Sequence, residues 1–112
     1  MDLFLDDRTQ GDWTVIEVKG ELDLATAPAL RERIDALEDT GAARLAVDLT
    51  AVTFMDSSSL GVLVGALKHA RERGGDLVLI GVGDSPGRVL SLTGLDQVFR
   101  VVATVDELPS PG

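Results

Sequence analysis

The chain has 112 residues, 45% of them hydrophobic and 26% charged, which suits one compact globular domain and excludes a disordered or membrane-spanning chain. Nineteen acidic against ten basic side chains give a formal net charge of −9, opposing the phosphate neutralisation on which nucleic-acid binding depends. The absence of cysteine removes disulfides, thiolate catalysis and thiolate metal sites, and the single histidine, His69, has no His or Cys helper for a metal site or a catalytic triad.

In chain order, the acidic start MDLFLDDRT lacks the positive region and apolar core of a secretory signal, so a cytoplasmic protein is expected. Residues 3–5 predict a weak edge strand, TQGD a turn, and residues 13–18 (WTVIEV), rich in β-branched and aromatic types, a strand ending at Gly20. Ala27, Leu30, Ile34 and Leu37 keep the spacing of one helix face, with Thr26 as N-cap, Pro28 in the first turn and Gly41 as the stop. A strand over 44–49 (RLAVDL), a helix over about 57–73, a strand over 77–80 (LVLI), a short helix opened by Ser85 and Pro86, and a last strand over 99–103 follow. Strands alternating with helices predict an α/β fold, a mostly parallel sheet with helices packed against it and a short first edge strand. One domain is expected, with a core over about 3–108 and a frayed tail at 109–112. The longest nearly apolar run, 60–67, falls far short of the roughly 20 residues that span a bilayer, so no membrane insertion is expected.

Lys68, His69, Arg71 and Arg73 read as a solvated basic face near a helix end. GVGDSPG, 81–87, fits only the first two glycines of a dinucleotide fingerprint, and no phosphate loop of the GxxxxGK[ST] type occurs. Tight turn geometry accounts for those glycines, and no cofactor is expected. A receiver domain is excluded because Asp48 lies inside a strand and no lysine follows Lys68.

The segment FMDSSSLGVLVGALK, 54–68, places Ser57, Ser58 and Ser59 behind Asp56 and ahead of a helix anchored by Leu60, Leu63, Val64 and Leu67. Asp56 or Ser57 as N-cap explains one or two polar residues. Three hydroxyls and an acid at a strand-to-helix edge also fit a phosphoswitch, because a phosphate in the first turn of a helix adds charge without breaking the fold. GELDLATAP, 20–28, brings Glu21 and Asp23 to the same end of a parallel sheet, either capping the next helix or contacting a partner. Asp23, Asp48 and Asp56 are the one trio that a Mg²⁺ ion could use, but neither a metal nor a catalytic residue is expected.

Together, GELDLATAP, LAVDLTAVTFMDSSSLGVLVGALK and the order of strands and helices resemble the anti-sigma factor antagonists, small STAS-domain proteins of bacteria, over nearly the whole chain. The resemblance implies a non-enzyme that binds an anti-sigma factor, itself a serine kinase of the GHKL ATPase type, and so releases a sigma factor for transcription. It implies Ser58 as the phosphoacceptor, with Ser57 and Ser59 as rivals, and a PP2C-type phosphatase that removes the phosphate. Glu21, Asp23, Thr26, Asp56, Ser57, Ser58 and Ser59 are then the expected partner-binding residues. Two features depart from the family pattern: Ser59 stands where glycine is common, and the last helix is cut to about one turn of VDEL. The latter leaves apolar surface expected near 99–102. The alternatives are a phosphorylation-independent STAS adaptor of a lipid-transport ATPase or a stress-signalling assembly and, from another class, a small nucleotide-binding protein.

Overall fold

A computed structural model describes residues 3–109. Strands β1 (Leu3–Gln10) and β2 (Trp13–Leu22) form an antiparallel hairpin. It turns at Gly11, whose φ of 61° lies in the region that side chains disfavour. Helix α1 (Ala27–Asp39), β3 (Arg44–Met55), α2 (Leu60–Glu72), β4 (Asp76–Ile80), α3 (Asp84–Thr93) and β5 (Arg100–Val102) follow. Short 3₁₀ turns at Ser57–Ser59, Leu95–Gln97 and Val105–Glu107 complete the chain. The sheet order is β1-β2-β3-β4-β5, with only the first pair antiparallel.

Alternation along the strands divides two cores. Leu45, Val47, Leu49, Leu77 and Leu79 are buried against Leu30 and Ile34 of α1, Leu63 and Leu67 of α2, and Leu90 of α3. Trp13, Val15, Ala46, Val78, Ile80 and Val102 form a smaller core on the opposite face. The edge strand runs past Leu5 to Gln10 because the charged DDRTQ stretch continues to pair with β2. Likewise β3 passes Leu49 and reaches Met55. Its pairing with β2 persists through two register shifts after β4 has ended at Ile80, so this second half has one unpaired flank and buries only Val52 and Met55.

The C-terminal segment corrects one expectation. Its last turn is a single 3₁₀ turn, yet Phe99 is buried in the main core and Val102 in the smaller one, where Val105 and Leu108 cover the sheet. Only Val98 and Val101 remain substantially exposed there, at 42% and 45%. Where the frayed tail was expected to begin, the Pro109 carbonyl accepts the Trp13 indole N–H at 2.8 Å; residues 110–112 lie outside the described residues.

The basic cluster is also more than a solvated face. His69 Nδ1 stands 2.8 Å from Glu38 Oε2, Arg71 pairs with Asp76, and Arg73 donates to the carbonyls of Glu38 and Ala42. Arg71 thereby ties α2 to the start of β4, while His69 and Arg73 join the C-terminal ends of α1 and α2 and permit the Glu38 side chain to be almost wholly buried.

Candidate functional site

Parallel pairing sets the ends of β2 and β3 side by side, with buried Leu22 in register with buried Met55. From these anchors two loops emerge at the carboxyl edge of the sheet, where α/β folds place ligand sites. The Asp56 N–H donates to the Leu22 carbonyl at 3.0 Å, so the loop carrying Asp23 and the loop carrying Asp56 are joined at the base.

In the first loop, Asp23 Oδ1 accepts the N–H groups of Ala25 and Thr26 at 2.9 and 3.0 Å. Thr26 holds the N-cap position of α1 but makes no capping bond with its side chain. Its hydroxyl instead donates to the Glu21 carbonyl at 2.6 Å and accepts the Asp23 N–H at 3.0 Å. Thr26 is therefore a buried brace beneath the loop, while Asp23 supplies the turn. The loop tip leaves Leu24 77% exposed.

In the second loop, extended backbone at Asp56 lets Oδ1 accept both the Ser58 N–H, at 3.0 Å, and the Ser58 hydroxyl. Asp56 is thus the cap of the 3₁₀ turn that leads into α2. The three serines, alike in sequence, differ in place. Ser57 and Ser58 are exposed, whereas Ser59 has no accessible surface and donates its hydroxyl to the Asp56 carbonyl at 2.8 Å. Ser59 is therefore set apart from the two displayed hydroxyls. It fastens the loop from below.

A third element reaches the site without a sequence signal. Ser85, in the first turn of α3, accepts the Met55 N–H through its hydroxyl at 3.1 Å and so satisfies the last residue of β3. Phe54, 44% exposed and in register with Glu21, and Leu24 add apolar surface near the acidic loops. Both residues lie inside stretches the sequence singled out, but only the turn geometry shows that they remain uncovered. Asp48 is not brought to this edge: it sits mid-strand beside Glu17 and Ile80, where its Oδ1 accepts the N–H and hydroxyl of Thr50. Among the described residues no group of three or more acidic or histidine side chains is placed to hold a metal ion. Neither Asp23 nor Asp56 has an ion-pair partner among those residues.

The family model of the STAS domain matches residues 5–108. The chain belongs to the STAS-domain family. Within it, the domain is 41% identical over 86 residues to the anti-sigma-B factor antagonist of Listeria monocytogenes, covering 77% of this chain and 75% of that protein. It is 36% identical over 101 residues to the anti-sigma-B factor antagonist of Staphylococcus aureus, covering 90% and 94%. The crystal structure of an anti-sigma factor antagonist from Mycobacterium paratuberculosis superposes with a TM-score of 0.85 at 30% identity, over 95% of this chain and 90% of that one. These relatives are regulators, and this STAS domain stands with them as a binding protein and not an enzyme. No helix among the described residues is long and apolar enough to cross a membrane.

Proposed function

We infer that this STAS domain is an anti-sigma factor antagonist switched by phosphorylation of Ser58. In the unmodified state it binds an anti-sigma factor that is also a serine kinase of the GHKL ATPase type, and a sigma factor is released. Glu21, Asp23, Asp56, Ser57 and Ser58 form the docking face in the cytoplasm, braced by buried Thr26 and Ser59. Phosphorylation adds about −1.5 to −2 charges beside Asp56 and ejects the domain from its kinase, and a PP2C-type phosphatase restores the binding form.

The observation that carries this reading is the exposed Ser58 hydroxyl held on the Asp56 carboxylate, in a loop tied to the Asp23 loop. Ser57 lies equally open but has no such partner among the described contacts, and Ser59 is enclosed. The test is binding of Ser58→Ala and Ser58→Asp to the anti-sigma kinase in the absence of ATP. Ser58→Ala should bind as the parent does and accept no phosphate, whereas Ser58→Asp should bind at least tenfold more weakly. Full-rate phosphorylation of Ser58→Ala would move the switch to Ser57.

A further inference from the structure

We propose that the groove between α1 and α2 receives a helix of the anti-sigma factor, which crosses α2 over Gly61 and Gly65 and sets a lysine or arginine against Glu38. This deepens the docking reading and rests on it. Glycine is among the poorest helix formers, yet α2 carries two of them four residues apart, about 6 Å along one face. Nothing within the domain calls for either. Both are exposed, neither has a positive φ, and a Cβ at either position would meet no atom within 4 Å. The remaining use of a missing side chain is close approach by a backbone from outside the domain, and a local rule broken without an internal reason marks a functional surface.

The same two glycines line a groove of about 350 Å³ whose α1 wall carries Arg31, Asp35 and Glu38. The Glu38 side chain is only 5% exposed, and its Oε2 is the oxygen that meets His69 Nδ1 at 2.8 Å and Arg73 at 3.8 Å. Its Oε1 accepts no hydrogen bond among the described residues. Because no enclosed side-chain oxygen or nitrogen there lacks a partner, this oxygen opens on the groove and is free to accept a donor from outside. Asp35, one turn earlier on the same face, is exposed and has no ion-pair partner among the described residues. The last turn of α1 supplies no basic residue to its own negative helix end. Arg31 lies a further turn back, so the acidic end of the groove is the end at Glu38, and a basic side chain is its complement. Two glycines one turn apart on an exposed helix face admit a second helix at short interaxial distance. The groove also continues the docking face: Gly61 stands in the first turn of α2, three residues after Ser58, so a partner seated on Ser58 extends along α2.

The experiment titrates the full chain with the purified GHKL-type anti-sigma factor kinase of the same cells, without ATP, in a calorimeter. Gly65→Leu, seven residues from Ser58, fills the groove with a good helix former; it should melt no lower than the parent yet bind about tenfold more weakly or worse. Asp35→Lys should weaken binding about three- to tenfold, by a factor that shrinks as salt is raised. Arg88→Leu, at an exposed position of α3, should bind as the parent does. Arg31→Cys, the sole cysteine of that variant, carrying a photo-cross-linker, should join to a helix of the kinase that contains lysine or arginine. Parent-like binding by a folded Gly65→Leu overturns the inference, as does a cross-link confined to a second copy of this chain. If Gly65→Leu melts below the parent, Asp35→Lys decides: parent-like binding by it is the overturning result. In each of these cases a Ser58→Asp variant that binds weakly in the same titrations leaves the Ser58 switch standing. If the parent does not bind the kinase, both fall.

Discussion

At the scale of single residues, the site separates hydroxyls that build from hydroxyls that are displayed. Thr26 and Ser59 are buried and bonded to loop backbone, whereas Ser58 is exposed and bonded to a carboxylate. The string DSSS discloses the carboxylate and the hydroxyls but not this division. A 3₁₀ turn has three residues per turn, so adjacent serines face directions far apart, and which one faces inward depends on how the turn meets Leu60 and Met55. Ser85 was equally hidden, because its partner Met55 lies 30 residues away. Glu38 belongs with them: it falls four residues after Ile34 on the buried face of α1 and is accommodated by His69 and Arg73 on another helix. Thr26→Val, which keeps the shape and removes the hydroxyl, should cost about 1–3 kcal/mol by leaving the Glu21 carbonyl and Asp23 N–H without their buried partner. Urea denaturation of the parent and variant measures this; an unchanged midpoint would show that the Asp23 loop holds without its brace.

At the scale of elements, the order of strands and helices was legible because periodicity and turn residues agree locally. Parallel crossovers then bring Asp23 and Asp56 to one edge without any need for distant contacts. The ends of elements were less legible. The second half of β3 is as apolar as the first but buries only two side chains and pairs with β2 alone, and the final segment closes over Trp13 with two apolar side chains and one indole bond. Helix α2 carries a further signal in Gly61 and Gly65. Both are exposed, and a Cβ at either would meet nothing within 4 Å. Alanine at each position should therefore stabilise the fold by about 0.5–1 kcal/mol per site, since glycine is a poor helix former. Thermal melting of Gly61→Ala and Gly65→Ala gives the answer, and a lowered melting temperature would mean that the helix needs glycine there for a reason internal to the domain.

At the scale of the whole molecule, a sheet covered by three helices on one face and by a short C-terminal strap on the other presents its acidic loops at one edge. The proposed switch works by charge on a rigid scaffold, where a phosphate would have no loop to push aside because the hydrogen bonds of both loops are made within the domain. Charge and bulk added beside Asp56, in a face that docks with a neutral hydroxyl, are then the discriminating event. The most direct measurement is intact-mass and fragment-ion analysis of the protein after incubation with ATP and an extract of its own cells, before and after treatment with a PP2C-type phosphatase. One phosphate, located on Ser58 and removed by the phosphatase, is the predicted result. No phosphate on the protein while a second antagonist in the same extract becomes phosphorylated, or a phosphate located elsewhere, would contradict it.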